Sequence, residues 1–200
     1  DEAIIDQVNN LVEYPTPLLG TIKDQYLELP DEVVITPMKD HLRYFPVVDS
    51  KNRLMNHFIT VRNGDDKYID IVRKGNEKVL AARLEDAKFF FNEDRKKNLE
   101  DYVEDLKTIV FQDKLGTLYD KTIRNMKLSE KICNDLNVGE ETLETTKRAA
   151  YLSKADLATK LVVEFTELQG VMGKIYAKLS GEPVGVQEAI YEHYLPRFAQ

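Results

Sequence analysis

The side chains best suited to acid–base or metal chemistry are few and scattered in this sequence. The three histidines, His41, His57 and His193, lie far apart, and none has a second ligand at a metal-binding interval. Zinc and iron sites need several ligands at defined spacings. We therefore predict no metal site, and we expect His41 or His57 to make a structural hydrogen bond.

Other catalytic arrangements are also missing. Adjacent carboxylates such as Glu85 with Asp86, or Glu100 with Asp101, point about 100° apart on a helix and cannot share a substrate. No glycine loop of the phosphate-binding type follows a predicted strand, and no serine has the nucleophile-elbow pattern. The sequence therefore predicts no catalytic residue.

Basic side chains remain as candidates, because lysine and arginine can bind RNA phosphates. Arg95, Lys96 and Lys97 form a compact basic loop between two predicted helices. Further RNA-contact candidates lie around a predicted hairpin and after it: Lys39, Arg43, Arg62, Arg73, Lys74 and Arg83. The alternative for each cluster is a solvated surface balanced by acids such as Glu93 and Asp94. The net charge of -7 restricts any RNA contact to a local patch.

Two helices would position the basic loop. Apolar residues spaced three and four apart predict a helix over Glu77 to Phe91, capped by Asn76, and another over Leu99 to Val110, capped by Asn98. Phe89 and Phe90 add apolar area that one stripe cannot bury. We therefore expect a second partner surface there.

The remaining elements are mostly helical. A short amphipathic helix from Ile4 to Val12 should stop at Pro15 and Pro17. The only predicted strands, Tyr44 to Val48 and His57 to Val61, form a hairpin. Helices are predicted over residues 118–136, 144–165, 168–179 and 186–194. The fold class is mainly α (α+β overall), with residues 1–75 a small α+β segment of a larger domain and residues 76–200 a helical domain.

The segment AAYLSKADL, Ala149 to Leu157, resembles the metal-binding helix of the HD phosphohydrolase superfamily. That helix carries an adjacent histidine and aspartate, and here Ser153 and Lys154 stand in those places. An ammonium cannot ligate a divalent cation. The resemblance implies an HD-like helical bundle lacking its metal-binding His-Asp pair. The alternative is an ordinary amphipathic helix with no kinship.

Longer runs resemble the beta subunit of the bacterial two-subunit glycyl-tRNA synthetase. They are ARLEDAKFFFNEDRK (Ala82 to Lys96), TIVFQDKLGTLYDK (Thr108 to Lys121), LVEYPTPLLG (Leu11 to Gly20), FITVRNG (Phe58 to Gly64) and YEHYLPRFA (Tyr191 to Ala199). Pro37 and the segment Asp65 to Val72 depart from the family pattern. The resemblance covers nearly the whole chain and implies an internal fragment of that subunit. A chain that starts at Asp1 fits a piece excised from a longer protein.

The resemblance implies a role in ATP-dependent attachment of glycine to tRNA(Gly), through tRNA binding and subunit assembly. The expected partners are tRNA(Gly) and the alpha subunit of a heterotetramer. ATP with magnesium is expected at the alpha subunit, and no cofactor in this fragment. Two alternatives are a degenerate HD-family phosphohydrolase and a helical protein-interaction module without an RNA role.

Composition narrows the setting. No apolar run approaches the roughly 20 residues that span a bilayer, so we expect a cytoplasmic chain with no membrane partner. The net charge of -7 does not favour a dedicated nucleic-acid binder, and we expect no DNA partner. The single cysteine, Cys133, excludes an internal disulfide. Its neighbours Ile132 and Leu136 favour a buried thiol.

Overall fold

The structure is a computed structural model that describes residues 2–197. The chain divides into two compact units, one up to Phe91 and one from Asn92 onward. The mainly α class is confirmed, with a small antiparallel sheet in the first unit. None of the helices among residues 2–197 has both the length and the apolarity needed to cross a membrane.

The first unit combines a sheet with helices. Its elements are α1 (Glu2–Leu11), β1 (Pro15–Thr21), α2 (Asp31–Thr36), β2 (Phe45–Val48), β3 (Leu54–Asn63) and α3 (Ile69–Asp94), which ends just inside the second unit. A 3-10 turn (Asp24–Glu28) precedes α2, and a π-helical turn (Pro37–His41) follows it.

The sheet has the strand order β1-β3-β2, and both pairs are antiparallel. The predicted hairpin is β2 and β3, but the prediction missed β1. Pro15 and Pro17 suggested only the end of a helix, whereas they lie on an edge strand. Proline is tolerated there because its missing N–H removes no bond to an inner neighbour.

The helix α3 covers the core of the first unit. Leu80, Leu84 and Ala87 are fully buried along it. The predicted cap at Asn76 is wrong, because α3 begins at Ile69 and Asn76 lies inside it. The Asn76 side chain instead donates to the Val72 carbonyl (2.8 Å) and accepts from the Tyr44 hydroxyl (2.6 Å). The predicted division into residues 1–75 and 76–200 falls within this helix, and it stays a prediction about domains.

The second unit is helical apart from one small hairpin. Its elements are α4 (Asp101–Asp105), β4 (Val110–Gln112), β5 (Gly116–Thr117), α5 (Leu118–Asp135), α6 (Glu140–Leu152), α7 (Lys160–Glu164), α8 (Val171–Leu179) and α9 (Val184–Glu192). Three 3-10 turns connect them: Leu106–Thr108, Ala155–Ala158 and Thr166–Leu168. The predicted helices over residues 118–136, 168–179 and 186–194 correspond to α5, α8 and α9.

Two predicted elements of this unit are wrong. The helix expected over Leu99 to Val110 ends with α4, its N-cap is Glu100 rather than Asn98, and an unpredicted hairpin of β4 and β5 follows. The helix expected over residues 144–165 ends at Leu152. At that end the Ser153 hydroxyl donates to the Ala150 carbonyl (3.1 Å), and in the following turn the Thr159 hydroxyl donates to the Asp156 carbonyl (2.6 Å). Such local side-chain bonds compete with helix continuation.

Candidate nucleic-acid interface

The basic turn, Arg95 to Lys97, follows α3 directly and is anchored by the residue before it. Asp94 is only 2% exposed. Its Oδ1 accepts from the Lys160 backbone N–H (2.9 Å), and its Oδ2 accepts from the Leu161 N–H (2.9 Å) and the Tyr176 hydroxyl (2.9 Å). Asp94 is therefore not the solvated counterion that the alternative interpretation of the basic cluster assumed. Its hydrogen bonds hold the beginning of the turn against the start of α7.

Two phenols complete this buried anchor. The Tyr102 hydroxyl donates to the Asp94 carbonyl (3.0 Å), and the Tyr176 hydroxyl donates to its carboxylate. Burial, reinforced by the negative charge of Asp94, raises the pKa of Tyr102 to about 12 and raises the pKa of Tyr176 as well. Both phenols therefore keep their protons near neutral pH and remain donors.

The cations of the basic turn are exposed and already face acids. Lys96 pairs with Glu93, whose pKa is lowered chiefly by that hydrogen bond. Glu93 also lies 3.5 Å from the Lys160 Nζ, and the Lys97 Nζ lies 3.6 Å from Asp105. Exposed pairs of this kind are weak because solvent and salt screen them. Phosphate oxygens could therefore displace the carboxylates at small cost.

A polar cleft of about 130 Å³ lies beside the basic turn. Its lining residues are Asp94, Arg95, Lys97, Asn98, Leu99, Tyr102, Tyr176, Leu179 and Ser180. The cations on its rim can bind an oxyanion, whereas the buried Asp94 is already saturated by three donors. This arrangement suits binding rather than bond making.

The other predicted RNA contacts belong to the first unit and are spread over several elements. Lys39 lies in the π-helical turn, and Arg43 follows that turn with a left-handed φ of 55°. Arg62 is engaged locally, donating to the Lys67 carbonyl (2.6 Å). Three candidates lie on α3. Arg73 pairs with Asp70, and Lys74 and Arg83 have exposed side chains. No single patch is evident among them.

At the HD-like position, the Lys154 side chain contacts two aromatic residues near the end of the described chain. The Lys154 Nζ lies 2.7 Å from the His193 Nε2 and 3.8 Å from the centre of the Tyr194 ring. The His193 Nδ1 lies 2.7 Å from the Ile190 carbonyl, which can only accept. Nδ1 therefore carries the proton, and Nε2 accepts from Lys154. Burial lowers the pKa of Lys154 to about 8 and that of His193 to about 4.

A buried carboxylate lies in the same neighbourhood. Asp156 is fully buried, and its Oδ2 accepts from the N–H groups of Gly170 (2.6 Å) and Gly173 (3.1 Å). Burial raises the pKa of Asp156 to about 6. Among residues 2–197 no three His, Cys, Asp or Glu side chains are arranged to hold a metal ion. The His57 Nδ1 is buried without a hydrogen-bond partner among residues 2–197, so the structural hydrogen bond expected of His41 or His57 stays a prediction.

Sequence reasoning missed the anchor of the basic turn. The buried residues Leu80, Leu84, Ala87 and Phe91 recur at intervals of three and four along α3, and Asp94 continues that series one step further. An acid on the apolar stripe of a helix was therefore the available signal. The donors that satisfy it, Lys160, Leu161 and Tyr176, could not be identified because they are far away in sequence.

Comparison with known proteins gives a consistent result. The family model described as the glycyl-tRNA synthetase beta subunit matches residues 1–200. The chain is 59% identical over 199 residues to the glycine–tRNA ligase beta subunit of Clostridioides difficile (strain 630) and 51% identical over 199 residues to that of Bacillus subtilis (strain 168). Both alignments cover 100% of this chain and 29% of the relative. The chain thus spans less than a third of the length of these relatives.

Proposed function

The chain belongs to the glycyl-tRNA synthetase beta subunit family, and from this membership we propose that it serves the ATP-dependent attachment of glycine to tRNA(Gly) in the cytoplasm. Its contribution is to bind tRNA and to support assembly with an alpha subunit. The basic turn is the RNA contact. The observation that supports this role is that the turn carries exposed cations, while the buried Asp94 just before it fixes the position of the turn.

The turn is suited to phosphate binding because its position is set before RNA arrives. The bonds from Asp94 to α7 hold the backbone, so that little ordering accompanies binding. Arg95, Lys96 and Lys97 keep long, solvated side chains that can follow the phosphates. Their cations exchange the carboxylates of Glu93 and Asp105 for phosphate oxygens. Contacts of this kind fix register and do not read sequence.

We assign no catalytic residue to this chain. The aminoacylation centre, with its ATP and magnesium, belongs to the alpha subunit in this proposal. Sequence and geometry support that division. Asp94 is saturated by three donors, and Asp156 is fully buried, with its Oδ2 bonded to two backbone N–H groups and its Oδ1 without a partner among residues 2–197. The remaining polar cluster is Lys154 with His193. A metal-dependent HD phosphohydrolase is disfavoured, since the Lys154 ammonium lies where a cation would have to bind.

The test uses the full-length beta chain assembled with its alpha subunit. The triple change Arg95→Ala, Lys96→Ala and Lys97→Ala should weaken tRNA binding about 10- to 100-fold and lower the slope of log K against log salt by about 2 to 3. The matched control changes Lys127, Lys131 and Lys178, which are also exposed on other helices, to alanine. It should leave the tRNA affinity and the salt slope unchanged. If the two triple variants bind tRNA alike, the basic turn is not a phosphate contact.

A protein-binding role is the second candidate, and α3 supplies the observation that favours it. Ile71, Val79 and Phe89 are exposed apolar residues on this helix. Scattered exposed residues are common, but three on one helix suit contact with another chain. If this surface assembles the enzyme, Ile71→Asp with Phe89→Ser should weaken association with the alpha subunit. The basic-turn variant should leave that association unchanged, as measured by sedimentation.

A further inference from the structure

The β4–β5 hairpin exposes apolar side chains that a small domain would normally bury. Val110 is 69% exposed, Leu115 is 51% exposed and Phe111 is 40% exposed. They lie within six residues of one another on a two-stranded hairpin. Such a concentration on one short element marks an interaction surface.

The exposure does not come from a loose loop, because the hairpin is held on several sides. The Thr117 N–H donates to the Asp120 Oδ2 (2.8 Å), and the Asp120 N–H donates to the Thr117 Oγ1 (3.3 Å), which is a capping box at the start of α5. The Arg124 guanidinium donates to the Leu115 carbonyl (2.8 Å). The hairpin is therefore fixed to α5 before any partner binds.

Cations surround the exposed apolar residues. The Lys121 Nζ lies 4.1 Å from the centre of the Phe111 ring, and the Lys107 Nζ lies 4.5 Å from that of Tyr119. Lys114 occupies the hairpin turn. Among residues 2–197, the side chains of Lys114, Lys121 and Arg124 have no carboxylate within 4.0 Å, which distinguishes them from Lys96 and Lys97. Asp113 and Asp120 lie on or beside the same hairpin, and the Asp120 carboxylate interacts with the charge of Arg124. Lys114 and Lys121 are therefore the cations of this surface that pair with no acid in the described part of the chain.

Aromatic rings beside cations are the chemistry of a single-stranded nucleic-acid surface. Bases stack on exposed aromatic faces, while lysine and arginine follow the phosphates. A partner that is only apolar would bury Lys114 and Lys121 without counterions, which is costly. The charge of the surface therefore favours a polyanion with planar groups over a protein face.

We propose that the β4–β5 hairpin is a stacking platform for unpaired nucleotides of tRNA, with Phe111 against a base and Lys114, Lys121 and Arg124 on the adjoining phosphates. The inference rests on the proposed tRNA-binding function, but it assigns a separate surface to it. Phe111 supplies the planar face, and the Lys121 ammonium lies over one side of its ring. The platform tolerates different base sequences, because every base has a π face.

The test compares Phe111→Leu with Phe111→Tyr in the full-length beta chain assembled with its alpha subunit. Leucine keeps an apolar side chain but removes the ring, so tRNA affinity should fall about 5- to 100-fold. Tyrosine keeps the ring, so affinity should stay within about 2-fold of the wild type. Lys114→Ala should lower the slope of log K against log salt by about 1. The thermal midpoints of all variants show whether the fold is intact. Val163→Leu, at an exposed position on α7, is the control and should leave binding unchanged.

Three outcomes would overturn the proposal. The first is wild-type tRNA affinity for Phe111→Leu with weakened alpha-subunit association in Lys114→Ala, which would make the hairpin a protein contact. The second is an equal loss of affinity for Phe111→Leu and Phe111→Tyr, which would exclude stacking. The third is an unchanged salt slope in Lys114→Ala. If Phe111→Leu weakens tRNA binding and the basic-turn variant does not, the hairpin contacts tRNA and the basic turn does not. That result would contradict the proposed function of the turn and support the proposal for the hairpin.

Discussion

Asp94 shows how one buried side chain can position an exposed group of residues. Its carboxylate accepts three hydrogen bonds, two from the first turn of α7 and one from Tyr176. A buried carboxylate with fewer donors would be unstable, because its charge would lack compensation. The three donors hold the end of α3, and with it the basic turn.

We predict that Asp94→Asn destabilises the protein by about 3 kcal/mol. The amide nitrogen would face N–H or O–H donors, so that at least one buried donor would lose its partner. Urea unfolding measures the loss in free energy of unfolding. Asp86→Asn on the exposed face of the same helix is the control and should change stability by about 0.5 kcal/mol or less. Equal effects of the two changes would show that Asp94 does not anchor the turn.

Lys154 gives a pH prediction. Burial lowers its pKa from 10.5 to about 8, so between about pH 8 and 10 the unfolded chain binds more protons than the folded one. Folding stability contributed by this group therefore rises with pH through that window. Lys154→Met should lack the rise, which we expect to be about 1 to 2 kcal/mol because the ammonium is still partly solvated. Urea unfolding at several pH values measures it, and parallel profiles for wild type and variant would contradict the prediction.

At the scale of the element, the β4–β5 hairpin depends on one backbone position. Gly116 has a φ of +81°, and a Cβ there would lie 2.3 Å from the Asp120 Oδ2. That oxygen belongs to the capping box of α5, so a side chain at position 116 would disturb both the hairpin turn and the start of the helix. The hairpin and α5 therefore form a single structural unit in sequence and in space.

We predict opposite effects from two glycine substitutions. Gly116→Ala should destabilise the protein by about 1 to 2 kcal/mol, through an unfavourable φ and a displaced Asp120. Gly75→Ala, inside α3 with open space around the added methyl group, should stabilise it by about 0.5 to 1 kcal/mol. Thermal unfolding gives both values. A stabilised Gly116→Ala protein would mean that the turn does not need its left-handed residue.

At the scale of the whole molecule, charge and burial are unevenly distributed. The chain carries a net charge of -7, yet the basic turn and the hairpin present cations locally. Repulsion of tRNA by the overall charge is screened over about 8 Å at physiological salt. In the proposed function, the local cations therefore determine the affinity for RNA.

The single thiol provides a measure of opening in the second unit. Cys133 is 7% exposed within α5, as the sequence predicted. We predict that Ellman's reagent labels it at least about 100-fold more slowly in the native protein than in about 6 M guanidinium, because the reagent needs an accessible thiolate. Rapid labelling of the native protein would show that α5 opens readily.

Local patterns in the sequence determined much of this protein. Periods of three and four placed α5, α8 and α9, and the aromatic and β-branched runs placed β2 and β3, because these elements bury one face. The exposure of the basic turn also followed from sequence, since three consecutive cations are rarely buried. Family membership was visible in long runs of specific residues and is confirmed by the comparisons.

Only the tertiary structure decided the rest. The strand β1 and the burial of Asp94 depend on partners that are distant in sequence, such as Arg62 for Thr16 and Tyr176 for Asp94. The β4–β5 hairpin pairs residues close in sequence, but its apolar residues fit a helical period equally well. The sequence placed Val110 on the buried face of a predicted helix, whereas Val110 is 69% exposed on β4. Exposure is a property of what packs against a residue, and that is settled when distant segments meet.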